Sequence, residues 1–145
     1  MRIVLQRVLR AEVRVDEKIV GRIDKGFLLL VGIGRGDDEA ALQKAARKIA
    51  GLRIFEDNQD KMNLNLDAVG GSILAISNFT LYGDTRKGYR PGFTDAAPPE
   101  EAERLFNRFV ELLRKQGVSV ETGRFGARMD VELINWGPVT LILDY

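Results

Sequence analysis

Residues 3–15 mix apolar and basic residues with partial alternation, clearest at Ala11, Val13 and Val15, and this period of two predicts a half-buried strand. Residues 17–23 are expected to return beside it. Residues 26–33 (Gly-Phe-Leu-Leu-Leu-Val-Gly-Ile) are apolar on both faces, as a central strand requires. The period then changes: Leu42, Ala45, Ala46 and Ile49 recur at helical spacing behind Asp38, a residue suited to an N-cap, with Gly51 as the expected end. Residues 52–55 predict a short strand and residues 72–82 a longer one. Pro98 and Pro99 suit a first helical turn, after which Ala102, Leu105, Phe106, Phe109 and Leu113 form a second stripe that Gly117 would close. Strands over 118–122, 127–134 and 139–143 complete about seven or eight against two helices, with several direct strand-to-strand links. The predicted class is α+β, a mostly antiparallel, barrel-like sheet with two main helices in one domain, residues 1–145.

Three irregular stretches interrupt this pattern. Gly137 and Pro138 stand inside the last strand pattern, where a proline removes a ladder donor and marks an edge, a bulge or a break. The pair is either a plain turn or a segment that presents main-chain atoms to a ligand, since glycine admits close approach and X-Pro bonds can be cis. Residues 83–99 form the longest loop and mix Arg86, Lys87 and Arg90 with Tyr89 and Phe93, cationic and aromatic faces that suit nucleic acid; a solvated loop anchored by its aromatics has the same composition. The run Gly32-Ile33-Gly34-Arg35-Gly36 has part of a phosphate-binding glycine pattern, without the full spacing or a Walker lysine, and reads equally as a flexible strand-to-helix turn.

Composition then narrows the chemistry. The chain has 145 residues, 45% apolar and 30% charged, enough for one real core. Its net charge of +1 argues against a broad nucleic-acid-coating surface while leaving room for local basic clusters. No apolar run is long enough to span a bilayer, so a soluble, cytoplasmic protein without membrane contact is expected. Cysteine and histidine are both absent, which excludes disulfides, thiol catalysis, Ser-His-Asp triads and His-ligated zinc. Any proton transfer at neutral pH must come from carboxylates, Lys, Tyr, water or the substrate. No cofactor or metal is expected.

Ser77-Asn78-Phe79-Thr80-Leu81-Tyr82-Gly83 and Asn135-Trp136-Gly137-Pro138-Val139-Thr140, with Gln6-Arg7-Val8, Lys87-Gly88-Tyr89-Arg90-Pro91 and Thr122-Gly123-Arg124-Phe125-Gly126, resemble the D-aminoacyl-tRNA deacylase family in order and spacing across nearly the whole chain. Family members usually carry Gln where this chain has Asn78, Asp where it has Trp136, and an acidic residue where it has Arg128. The resemblance implies a homodimer that proofreads tRNA by hydrolysing the ester between a D-amino acid and the 3′ adenosine, and that also removes misattached glycine. It further implies that the Gly137-Pro138 pair is cis and enters the partner's active site, so that active sites cross between subunits and backbone excludes an L side chain.

Such chemistry needs a nucleophile, oxyanion stabilisation and a proton for the leaving ribose oxygen. Thr80 is the candidate side chain, as nucleophile or as a positioning group for an adenosine 2′-OH that directs water. Backbone N–H groups around Ser77, Asn78 and Phe79 are the candidate oxyanion hole. Phe125, Gly126 and Met129 are expected to hold the adenosine, or to be plain core, and Arg86, Lys87 and Arg90 to meet tRNA phosphates. Arg7 could support the Gly-Pro segment electrostatically. Rival readings are a non-catalytic RNA-binding module, an enzyme of small metabolites, and a purely structural dimer.

Overall fold

Strand β1 (Arg2–Val15) is the centre of the architecture, and the computed structural model describes residues 1–145 around it. One edge of β1 pairs antiparallel with β8 (Asp130–Asp144) over nearly its whole length. Its other edge pairs antiparallel with β3 (Gly26–Gly32) through the first half and β2 (Lys18–Ile23) through the second. Helix α1 (Glu39–Gly51) and the small β4 (Phe55–Glu56) and β5 (Met62–Leu64) ribbon then lead to β6 (Ser72–Ser77), which lies parallel to β3. Helix α2 (Pro99–Lys115) leads to β7 (Val120–Thr122), parallel to β6. The sheet is therefore mixed, with antiparallel pairs predominating and two parallel crossovers that local patterns do not disclose.

β2 folds back towards β6 and β7 and nearly closes the sheet into a barrel. Gly21 permits this: a Cβ there would lie 2.6 Å from the Thr122 carbonyl oxygen. One face of the sheet, carrying Ile3, Leu5, Phe27, Leu29, Ile73 and Ala75, packs against both helices. The other, with Val8, Ala11, Val13, Leu28, Leu74 and Ile76, fills the barrel interior. This double burial is why residues 26–33 read as unbroken apolar sequence.

Both predicted helices form where their stripes place them. Asp38 caps α1 by accepting from the Ala41 N–H at 2.9 Å, and Leu42, Ala45, Ala46 and Ile49 are buried. Pro98 and Pro99 open α2, and its apolar stripe is likewise buried. Such caps contribute about 1 kcal/mol, whereas each fully buried Leu or Phe contributes about 1.5–3 kcal/mol; packing, rather than capping, holds the helices in place. Three expectations change. The 52–55 strand gives way to a two-residue one, Phe55–Glu56, that shares only Phe55 with it; the 72–82 strand stops at Ser77 and is followed by a 3-10 turn, Phe79–Tyr82; and the last two predicted strands are one, β8, which passes through Gly137 and Pro138.

Arg108 of α2 ties the two helices by donating to the Glu39 carboxylate of α1, with Nη2 at 2.7 Å and Nε at 3.0 Å from Oε1. Those bonds, and a weaker one from Gln43, hold the Glu39 carboxyl at about 2, below its ordinary 4.5. A depressed folded-state value means that the contribution is present above about pH 4.5 and is lost as pH falls towards 2. Glu39→Gln is therefore expected to flatten the dependence of the denaturation midpoint on pH across that window. Superimposable slopes for variant and parent would show that the pair plays no part in acid unfolding.

Candidate active site

The passage of β8 through Gly137 and Pro138 rests on the side chains of Arg7 and Asn135. Gln6 faces Thr140 and Val8 faces Asn135, so Arg7 alone opposes Trp136, Gly137, Pro138 and Val139. This is a bulge of four residues against one in the β1–β8 ladder, whose register shifts again between Val8 and Arg10. Asn135 closes its base: Oδ1 accepts from the Val139 N–H at 2.8 Å, and Nδ2 donates to the Val139 carbonyl at 3.2 Å and the Thr140 hydroxyl at 3.1 Å. The Gly137-Pro138 peptide bond is cis, and Gly137 has φ of +136°, a value L side chains rarely adopt.

Arg7 is buried beneath the bulge. Its Nε donates to the Trp136 carbonyl at 2.9 Å, and its Nη1 to the Ile54 carbonyl at 2.7 Å and to Glu56 Oε2 at 2.8 Å. Its guanidinium carbon lies 4.7 Å from the centre of the Trp136 ring, which also packs on Phe55 at 6.0 Å. Phe55 stacks in turn on Phe27 at 5.2 Å. The bond from Arg7, assisted by the backbone amide of Glu56, holds the Glu56 carboxyl below its usual range. A Cβ on Gly137 would fall 2.8 Å from Arg7 Nη2. Trp136 is thus accommodated by cation–π and aromatic contact.

The main cavity, about 760 Å³, opens between the ends of β3 and β6, the start of α2 and the segment before β8. Ser77, Asn78 and Phe79 form one wall; Phe125, Gly126 and Met129 form another. These six predicted residues are brought together. Phe125 and Met129 are half-buried and serve both cavity and core, Phe125 packing on Phe106 at 6.5 Å and Met129 on the barrel interior. Phe79 meets Phe93 edge-on at 5.1 Å, and both line the cavity. Phe93, expected to face nucleic acid from the 83–99 loop, lines it too, as do Leu30, Pro98 and Arg35, to which the sequence assigned no site role, although a lone cation in a glycine run was a signal for Arg35.

Thr80 and the Gly137-Pro138 pair do not line this cavity; all three are exposed in the single chain. The Thr80 hydroxyl donates to Asn78 Oδ1 in a short bond, and the same oxygen accepts from the Thr80 N–H at 3.2 Å. The Asn78 N–H is donated to the Val31 carbonyl at 2.8 Å, which removes it from the expected oxyanion hole. The Phe79 N–H, first in its 3-10 turn, has no partner within that turn. The glycine run is a turn: Gly34 donates to Asp37 Oδ2 at 2.7 Å and the Arg35 N–H to the Asp95 carbonyl at 3.0 Å, so those amides are not free for a phosphate.

The basic loop is pinched at its base by Asp84 and Gly92, each of whose N–H groups donates to the other's carbonyl. Arg86 is bound to Asp84 through Nε at 2.9 Å and Nη2 at 2.7 Å, which holds the Asp84 carboxyl at about 2. Its charge is therefore spent within the loop. Lys87 and Arg90 are exposed and form no ion pair, and Tyr89 between them is fully exposed.

Removing Arg7 leaves two main-chain acceptors beneath the bulge without a donor. Arg7→Met is expected to lower stability by about 2–4 kcal/mol in chemical denaturation and to shift the emission of Trp136, the chain's one tryptophan. An unchanged midpoint together with unchanged emission would refute this role for the guanidinium.

Comparison with known proteins fits this geometry. The D-aminoacyl-tRNA deacylase of Symbiobacterium thermophilum is 56% identical over 99% of this chain and 95% of its own length. That of Thermotoga petrophila is 54% identical over 99% and 97%. The solved c-Myc DNA Unwinding Element Binding Protein is 39% identical with a TM-score of 0.92, covering 100% of this chain and 99% of the other. A probable eukaryotic D-amino acid tRNA deacylase shares the fold at 20% identity and a TM-score of 0.84, over 99% of this chain and 98% of its own. The family model described as D-Tyr-tRNA(Tyr) deacylase matches residues 4–144, and the chain belongs to that family.

Proposed function

We propose that this chain hydrolyses the ester joining a D-amino acid to the 3′-terminal adenosine of tRNA, releasing free D-amino acid and tRNA, and so proofreads aminoacylation in the cytoplasm. The observation that carries this reading is a mostly apolar cavity of nucleoside size, walled by Ser77, Asn78 and Phe79, in a chain of this family. Its volume of about 760 Å³ lies within the roughly 300–1,000 Å³ of small-ligand sites. Phe125 and Met129 offer faces on which adenine can stack, and Gly126 lets the base or ribose come close.

The hydrogen bonding favours a positioning role for Thr80 over attack. Its hydroxyl proton points at an amide oxygen, far too weak a base to generate an alkoxide, and neither a carboxylate nor a lysine is bonded to it. The simpler route is water directed by the substrate's own adenosine 2′-OH. Asn78 and Thr80 then orient the ester, the Phe79 N–H and the Ser77 region stabilise the oxyanion, and the departing ribose oxygen collects its proton from the attacking water.

Enantiomers carry the same groups, so a clash separates them better than added attraction. Gly137 and Pro138 are a stiff wall of main chain and proline ring, held from behind by Arg7, that does not line its own chain's cavity. Their projection supports an isologous dimer in which each copy lends its bulge to the other's cavity. Glycine, lacking a side chain, passes such a wall. Lys87 and Arg90 remain free to meet tRNA phosphates, with Arg86 shaping their loop. The exposed Tyr89 between two free cations also motivates a non-catalytic RNA-binding reading.

Parallel assays with D-tyrosyl-tRNA, L-tyrosyl-tRNA and glycyl-tRNA test the proposal. D-tyrosyl and glycyl esters are expected to be cleaved and the L ester spared; equal rates for the enantiomers would defeat it, and tight binding without turnover would favour the RNA-binding module. Thr80→Ala is expected to lower kcat by roughly tenfold to a hundredfold. Near-total loss with intact binding would instead make Thr80 the nucleophile.

A further inference from the structure

The cavity is neutral except at one point. Among the residues that line it, Arg35 alone carries a charge. It lies at the tip of the turn that follows β3, where the Gly34–Ala96 bridge and a bond from the Ala97 N–H to the Ile33 carbonyl at 3.0 Å dock this turn on the segment before α2. Its Nε donates to the Thr94 carbonyl at 2.7 Å. That is its only side-chain hydrogen bond, and it belongs to none of the ion pairs of the chain. The guanidinium is thus anchored at its base while both terminal nitrogens stay unspent.

A fork of this kind is built to hold two oxygens of one anion. The acyl part of the substrate offers none: its amino group is cationic, and its carboxyl is tied up as a neutral ester. Adenine and ribose are neutral as well. The nearest negative charge in an aminoacylated 3′ end is the phosphodiester that joins the terminal adenosine to the nucleotide before it.

We propose that Arg35 is a substrate-binding residue that grips this phosphodiester at the cavity mouth, so that the terminal nucleotide is held by its base on the Phe125 side and by its phosphate on Arg35. The inference rests on the deacylase reading and assigns the cation that fixes how far the 3′ end enters. It also gives the turn after β3 a phosphate-binding role through a side chain, its Gly34 and Arg35 amides being spent on Asp37 and Asp95.

The test compares two substrates that differ in the phosphate: D-tyrosyl-tRNA and the 3′-O-D-tyrosyl ester of free adenosine. Arg35→Gln keeps a polar side chain and removes the charge; it is expected to lose roughly tenfold more kcat/KM on tRNA than on the adenosine ester, mainly through KM. The dependence of log KM on log salt for tRNA should become shallower by about 0.7, the contribution of one single-strand phosphate contact. Equal losses on both substrates, or none on tRNA, would overturn the assignment. Equilibrium binding of adenosine 5′-monophosphate against adenosine supplies a readout that needs no turnover. The parent chain should prefer the monophosphate and Arg35→Gln should lose that preference, whereas equal affinities in the parent would overturn the proposal. If neither ester is hydrolysed while the monophosphate preference holds and depends on Arg35, the deacylase reading fails and the phosphate site stands.

Discussion

A buried guanidinium needs acceptors, and the need of Arg7 organises this molecule. Burying an unpaired arginine would cost several kcal/mol, so the chain must bring oxygens to it from three directions: the Trp136 carbonyl of β8, the Ile54 carbonyl before β4 and the Glu56 carboxylate. Those partners come from segments far apart in sequence. Satisfying one charge therefore fixes the β4–β5 ribbon and the bulge of β8 against the centre of β1 in a single arrangement. The reciprocal is equally important. The bulge leaves Trp136 to Val139 without ladder partners from β1, and Arg7 supplies a donor the missing ladder would have given. A rigid protrusion results from a strand that would otherwise simply continue.

The cavity has a different origin. β3 and β6 run parallel and end side by side at Val31 and Ser77, so the turns that leave them diverge and open a hollow at their ends, as expected where parallel strands stop. The start of α2 and the segment before β8 close its other sides. Its chemistry follows from the lining. With one cation at the rim and no carboxylate or imidazole inside, the protein can orient, desolvate and polarise a bound ester, and proton traffic is left to water and substrate hydroxyls. The absence of histidine thus has a structural counterpart in a site without a side-chain base.

What the sequence disclosed and what it hid divide along physical lines. The helices were legible because their apolar stripes repeat at 3.6 residues and the stripe residues are the ones buried. The central strands were legible because burial on both faces leaves an unbroken apolar run. The end of β6 was not: Phe79 and Leu81 continue a strand-like alternation, and the chain turns because the Asn78 side chain folds back onto the Thr80 amide, a local bond that outcompetes the ladder. Continuity of β8 was hidden for the opposite reason, since Gly-Pro reads as a break unless a distant Arg7 stabilises the excursion. The parallel pairs and the cavity depend on contacts between remote segments, which no local period records. Among the candidate site residues, those on the 77–79 and 125–129 segments converge as expected, whereas Arg86 is diverted by Asp84, a neighbour only two residues away. Arg35 gives no local signal of its own beyond a cation within a glycine run, and its place at the cavity depends on the docking of that turn on the segment before α2.

On the proposed reading, the two halves of the function have unlike structural supports, and this separates how they respond to change. The wall's shape is set by the main chain at Gly137, where any side chain would meet Arg7 Nη2 and Val139, and it is held from below and behind by Arg7 and Asn135. The cavity is side chain, so its grip on base and phosphate can drift through Phe125, Met129 or Arg35 while the wall stays put. Trp136 fits this division: its ring packs on Phe55 and Arg7 at the base of the bulge, while Gly137 and Pro138 stay exposed. Handedness is then the constrained property and affinity the adjustable one, because the first is set by backbone geometry over-determined by the hydrogen bonds of Arg7 and Asn135 and the second by individual side chains of the cavity lining.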